Sequence, residues 1–169
     1  TRGSRIYVRT EVGLSTQSTG GGMHHEVADV EVAFPLHERV SLRLGGYLGN
    51  AGGSDLPLHR RFHVGGVVTS AVFAPTHPRF LGLGPQERSG AAAQIARGAL
   101  QLEYRQGRYL VVGVDAGGAS ESWGFDRDAY TVGWGASLGF ASIVGPVTLT
   151  VHGRSVGDAG LSFRVGRTF

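Results

Sequence analysis

Between Tyr130 and Phe140 the chain changes character at every residue. Tyr130, Val132, Trp134, Ala136, Leu138 and Phe140 alternate with Thr131, Gly133, Gly135, Ser137 and Gly139. A period of two belongs to a strand with one apolar and one polar face, whereas a helical face repeats every 3.6 residues. The surrounding stretch from Ala129 to Gly153 carries no formal charge when His152 is neutral, which is enough chain to cross a bilayer as a helix. Gly133, Gly135, Gly139, Gly145 and Pro146 interrupt it, so the pattern predicts two strands and a turn instead.

The same alternation recurs along the chain and predicts eight strands, near residues 5–16, 26–34, 39–49, 96–105, 108–116, 129–140, 146–153 and 160–169. In the first, Ile6, Val8, Val12 and Leu14 oppose Arg5, Arg9 and Glu11. In the second, Val30, Val32 and Phe34 oppose Asp29 and Glu31. Val40, Leu42, Leu44 and Leu48 oppose Ser41, Arg43 and Tyr47, and Leu100, Leu102 and Tyr104 oppose Arg97, Gln101, Glu103 and Arg105. Leu110, Val112 and Val114 then oppose Tyr109, Val111, Gly113 and Asp115, and Val147, Leu149 and Val151 oppose Thr148, Thr150 and His152. The last segment places Leu161, Phe163, Val165 and Phe169 on one face.

Composition agrees with an all-β chain of one domain, residues 1–169. Its 29 glycines would each cost a helix roughly 1 kcal/mol relative to alanine. Charged residues make up 17%, below the typical share of about a quarter. The net charge is +3, but the arginines are dispersed among apolar residues and not gathered in a patch, which argues against a nucleic-acid partner. Cysteine is absent, so disulfides and thiol chemistry are excluded. No signal peptide is visible, and the opening "TRGSR" reads as a cut within a longer protein.

Alternating strands fit two architectures. A soluble sandwich buries its apolar faces in a core, and an outer-membrane barrel turns them to lipid around a polar lumen. The connections separate the two. "PLHER", "RQGR" and "SIVGP" are tight, whereas "STQSTGGGMHH", the stretch 50–94 and "GASESWGFDRD" are long, with "SVGD" the one short member of that second set. Short turns at one rim and long loops at the other belong to a transmembrane barrel. Segments near ten residues suit tilted membrane strands, about twice the length of globular ones. Tyr104, Tyr109, Trp123, Tyr130, Phe140 and Phe169 sit near strand ends, where an interfacial aromatic girdle would lie. The expected fold is therefore an antiparallel transmembrane β-barrel, its lumen lined by Arg5, Arg9, Glu11, Glu31, Arg43, Arg97, Glu103 and Arg105. Such charges either pair across strands, since an unpaired one is costly when buried, or line a polar path for a substrate.

Three stretches carry a resemblance. The terminal run Asp158-x-Gly160-x-x-Phe163-x-Val165, continuing to Phe169, is similar to an outer-membrane assembly signal. "ASIVGPVTLTVHGRS" is similar to a glycine-proline turn with its penultimate strand, and "LPLHRRFHVGG", with Gly65 and Gly66, to the entry of a long loop that folds back into the lumen. Over nearly all its length the chain resembles the C-terminal half of a barrel of the BamA/TpsB superfamily of bacterial surface antigens, closest to barrels that follow patatin-like domains. The resemblance implies recognition by the barrel assembly machinery and a lumen loop tipped by Arg-Gly-aromatic. Here the counterpart is Pro78-Arg79-Phe80, with Arg79 expected to contact a lumen acid such as Glu103. Barrels of that superfamily have sixteen strands. Eight imply half of one, a barrel closed by another copy, or a small closed barrel. Eight strands are able to close around their own side chains, but the bulky loop favours the first two.

Motifs for chemistry are weaker. "GASLG" at 135–139 matches a G-x-S-x-G nucleophile elbow, yet Ser137 falls inside an alternating strand instead of at a strand–turn–helix corner. "GGGM" at 20–23 and "DAGG" at 115–118 imitate an oxyanion loop and a catalytic aspartate in a chain where glycine recurs by chance. No catalysis is expected here; a patatin-type lipase would lie upstream. His24, His25 and Glu26, with His59 and His63, read as exposed loop residues, not a metal site. The double glycine reads as a place of close backbone packing. Arg60-Arg61 reads as a solvated pair that is also suited to lipopolysaccharide phosphates.

The sequence thus points to an integral domain of the bacterial outer membrane that anchors, displays or helps translocate an upstream domain or polypeptide. Its expected partners are outer-membrane lipids and lipopolysaccharide, the assembly machinery, and an upstream barrel half or a second copy. No cofactor or metal is expected. An autonomous eight-stranded adhesin or membrane-stabilising barrel, and a soluble β-sandwich binding module, are the alternatives.

Overall fold

The computed structural model describes residues 6–16, 22–52, 56–67, 76–124, 127–143, 145–155, 157 and 159–166, with side chains from residue 24 onward. Eight strands form one antiparallel sheet: β1 (Ile6–Thr16), β2 (Gly22–His37), β3 (Val40–Gly52), β6 (Ala92–Arg105), β7 (Arg108–Ser120), β8 (Thr131–Ser142), β9 (Gly145–Arg154) and β10 (Ala159–Val165). They lie in chain order as a meander, β1-β2-β3-β6-β7-β8-β9-β10. Two short strands, β4 (Phe62–Val64) and β5 (Arg88–Gly90), pair with each other inside the excursion between β3 and β6. A single sheet of this kind is not the two packed layers of a sandwich. Among the described residues β1 and β10 do not pair, so each leaves one edge of the sheet open. No helix among the described residues is long and apolar enough to cross a membrane, which has no bearing on crossing by strands.

The strands outrun their expected bounds chiefly at one rim. β2 begins at Gly22 and not near residue 26, β3 runs on to Gly52, β6 starts at Ala92 and β7 extends to Ser120. Much of "STQSTGGGMHH", expected as a long loop, is therefore strand. His24 and His25 pair with Gly52 and Ala51 across β2 and β3. Glycine, alanine and histidine there have little strand preference of their own, and pairing with their neighbours overrides it. The connections β2–β3, β6–β7 and β8–β9 occupy residues 38–39, 106–107 and 143–144, all at one rim, while the 53–91 and 121–130 connections lie at the other.

Successive side chains alternate between two faces, which differ sharply. The outer face carries Leu44, Leu48, Leu100, Val112, Val114, Trp134, Leu138, Phe140, Leu149 and Val151, all exposed. On β10, Leu161 is 69%, Phe163 68% and Val165 50% exposed. Along the outward positions of 28–34, 40–48, 96–104, 110–116, 132–140, 147–153 and 161–165 there is no Asp, Glu or Arg. So continuous an apolar exposure far exceeds the isolated surface hydrophobes of ordinary soluble proteins.

The inner face is covered by the described parts of the excursion, residues 56–67 and 76–90, and the core lies between them and the sheet. Phe62, Val64, Phe80 and Leu83 from the excursion have no exposed surface, and they pack with Val27, Tyr47, Ala51, Ala93, Ile95 and Ala119 of the sheet. Burial of side chains this size contributes about 1.5–3 kcal/mol each. The sheet makes room by omitting side chains. A Cβ on Gly49 would stand 2.5 Å from the Phe62 ring, and one on Gly133 would stand 1.6 Å from the Leu81 carbonyl oxygen.

Candidate functional site

Where the excursion meets the middle of the inner face, charged residues from four strands and the loop converge. Arg43 on β3 donates through Nε to Glu31 Oε1 on β2 at 2.8 Å, with a second bond from Nη2 to the same oxygen. Its Nη1 reaches Gln101 Oε1 on β6 at 3.5 Å. Arg97 on β6 bonds Asp29 Oδ1 on β2 at 3.1 Å through Nη1, donates through Nη2 to the Arg79 carbonyl at 3.3 Å, and stands 5.8 Å over the Tyr47 ring. Bonds of this charged kind are among the stronger ones available to a protein.

Arg79 and Leu81 bring the loop into this cluster. The Leu81 backbone N–H donates to Asp115 Oδ2 at 2.9 Å, and Asp115 on β7 is only 2% exposed. The Arg79 guanidinium is partly buried, attracted by Asp115 and Glu31 and opposed by Arg97 and Arg43. A residual cavity of about 60 Å³ lies among Glu31, Arg43, Arg79, Arg97, Asp115 and Ser137. That volume admits a few waters and no organic substrate. In this structure the interior holds ion pairs between strands of the sheet, to which the loop is joined by hydrogen bonds through the Leu81 N–H and the Arg79 carbonyl.

The residues singled out from sequence divide clearly. Glu31, Arg43, Arg97 and Arg79 come together here. Glu103 does not: its carboxylate accepts from the Gly107 N–H at 3.1 Å in the β6–β7 turn, and the acids whose charge acts on Arg79 are Asp115 and Glu31 instead. Position along the strand is the reason, since Glu103 shares the inner parity but sits at the short-turn rim. Arg105 is exposed at that same rim, beyond a register shift between Glu103 and Arg105. Arg9 and Glu11 stand opposite Asp29 and Val27 in the register; their side chains, like Arg5, Asp158 and Phe169, lie outside the described residues. Gly160 sits opposite His152, where a Cβ would come 2.8 Å from the imidazole. Phe163 and Val165 face outward from the same strand.

The double glycine binds the loop to itself. Gly66 N–H donates to Leu83 O at 3.0 Å, Phe80 N–H donates to Gly66 O at 2.9 Å, and Gly65 N–H reaches Pro78 O at 3.3 Å. Gly65 has φ +138° with the Gly84 carbonyl where a Cβ would be, so no other residue fits without strain. This arrangement presents Arg79 and seats Phe80 in the core.

Asp115 and Asp29 were missed as site residues although both share the inner parity. The Arg97–Asp115 register, known only once β6 and β7 are paired, was the signal needed. The histidines are also not loop residues throughout. His25 stacks on Phe62 at 4.9 Å and His63 on His77 at 5.0 Å. Ser137 of the G-x-S-x-G match lies mid-strand on β8, hydrogen-bonded to Thr150 at 2.8 Å. Arg61 forms a two-point pair with Glu121, at 3.0 and 2.6 Å, bracing the loop against the β7–β8 connection. Arg154 likewise holds Glu87 at 2.6 Å. Among the described residues no group of three or more His, Asp or Glu is placed to hold a metal ion.

No protein-family model matches this chain, and no curated protein matches it.

Proposed function

We propose that this chain is an integral outer-membrane β-barrel domain that anchors, displays or helps translocate an associated upstream domain or polypeptide. The observation that carries the reading is the charge-free, exposed outer face set against an ion-paired inner face filled by its own loop. In water such an outer face is a liability; in hydrocarbon it is the required surface, and the polar residues belong inside. The segregation of short turns to one rim supports the same reading, as does the resemblance to the BamA/TpsB superfamily in the terminal strand and the loop.

The open edges bear on how the barrel is completed. In lipid each unpaired backbone group costs several kcal/mol, so β1 and β10 require partners. Upstream strands of a sixteen-stranded barrel, or another copy, meet this need, and the edges weigh against an autonomous eight-stranded adhesin. The domain itself is read as non-catalytic, with the assembly machinery, outer-membrane lipids and lipopolysaccharide as its partners.

The test is folding of the intact protein from denaturant into lipid vesicles. The expected result is heat-modifiable migration on gels together with protection of the strands from added protease. A protein that folds and stays monodisperse without detergent or lipid would overturn the reading.

A further inference from the structure

The outer face is not uniformly covered by large side chains. One cross-strand row runs through small residues, Gly46 paired with Ala96 and Ala96 with Ala116, and ends on Val132 opposite Ala116. Gly98 extends the deficit one row toward the short-turn rim. Leu48 and Val132 stand beside these small residues as exposed walls, leaving a groove of about 990 Å³. That volume is at the upper end of the roughly 300–1,000 Å³ typical of ligand sites.

The groove ends at the long-loop rim in a polar cap. Tyr130 and Gln94 are hydrogen-bonded to each other there. Among the described residues three guanidiniums, Arg88, Arg127 and Arg154, also line it, and no carboxylate does. Arg88 donates to the Ala129 carbonyl at 2.6 Å and Arg154 is held by Glu87, which fixes both at the rim, while Arg127 is exposed. An apolar trough that closes on positive charge and amide and phenol groups matches an amphiphile with an anionic head.

We propose that this groove is a specific site for an anionic, phosphate-bearing membrane lipid. One acyl chain lies over Gly46, Ala96 and Ala116, and the phosphate meets Arg127 at the rim. The inference rests on the outer-membrane reading above. An annular lipid would need neither the missing side chains nor the clustered arginines; a retained one needs both. Arginine suits the head group because its planar donors match phosphate oxygens in pairs.

The experiment reconstitutes the intact protein in nanodiscs of phosphatidylcholine containing a minor fraction of phosphatidylglycerol, then releases it for native mass spectrometry. Wild type retains phosphatidylglycerol in preference to phosphatidylcholine, and inorganic phosphate does not displace it. Ala96→Leu, which fills the trough from the outer face, and Arg127→Gln, which leaves the trough intact, each weaken retention by about tenfold, the scale of one charge-assisted bond or one lost chain contact. Equal retention of the two lipids, displacement by phosphate, or wild-type retention by A96L overturns the site. If these results come from protein that has inserted, the outer-membrane reading stands; a chain that fails to insert overturns both.

Discussion

Asp115 and Leu81 are joined by a single hydrogen bond from the loop backbone to a nearly solvent-free carboxylate, 2.9 Å long, and it holds the loop at the centre of the sheet. The carboxylate also offsets Arg79. Asp115→Ala leaves the Leu81 N–H without its acceptor and removes one of two acids facing Arg79. The expected loss is about 1–3 kcal/mol, the cost of orphaning a buried polar group. Chemical unfolding of detergent-folded protein measures it, and limited proteolysis should show cleavage near Arg79 that wild type resists. Wild-type stability with an uncut loop would show that Asp115 is not the anchor.

Two glycines of β8 separate seating of the loop from strand pairing. Gly133→Ala drives a Cβ into the Leu81 carbonyl, whereas at Gly139 the nearest atoms, Thr148 Oγ1 and the Val147 carbonyl oxygen, are an ordinary 3.8 Å away. Gly133→Ala should lower stability by about 1–3 kcal/mol through overpacking and expose the loop to protease. Gly139→Ala should behave as wild type in both assays. Equal effects of the two would mean that glycine matters here for the strand and not for the loop.

Leu149 and Thr148 are neighbours on β9 that point to opposite faces, Leu149 40% exposed and Thr148 half-buried. On the membrane reading, Leu149→Arg places a charge in hydrocarbon at about 2–4 kcal/mol and should cut the folded yield in vesicles severely. Thr148→Arg meets a polar interior and should fold. The opposite ranking would reverse the assignment of the two faces.

Two loop residues give separate pH windows. The Gly84 N–H, foremost, and Arg154 hold the Glu87 carboxyl below its ordinary value of 4.5. Its contribution is therefore complete above that value and is lost as pH falls through the lower folded value. Burial, foremost, and the neighbouring His63 push His77 below 6.5. The unfolded chain then takes up the proton first, so stability declines as pH falls from about 6.5 toward the depressed value. Protection of the loop amides, taken relative to their intrinsic exchange rate at each pH, should fall in two steps on acidification. H77Q should abolish the upper step and E87Q the lower, and persistence of both steps in either variant would refute the assignment.

The strands were legible because each alternates over many residues, and turn lengths alone told one rim from the other. Their ends at the long-loop rim were not, because segments such as Gly22–His25 and Gly117–Ser120 become strand only through their partners. Within the charged cluster, Glu31, Arg43 and Arg97 declared themselves by parity. Parity gives the face but not the height, which is why Glu103 was matched to Arg79 while Asp115 passed unnoticed. The His63–His77 stack and the β4–β5 pair depend on how the excursion doubles back, which no local pattern encodes.

One link between neighbouring strands far outruns the rest: residues 53–91 intervene between β3 and β6, whereas the next longest described link, 121–130, has ten residues. Closing so long a detour costs more chain entropy than any hairpin in the molecule. The sheet is thereby divided into two blocks, β1–β3 and β6–β10, each able to zip locally before they meet along a single seam. A chain severed within that detour, supplied as two fragments, retains every hairpin of the eight-stranded sheet intact and is the natural starting point for reassembly by complementation.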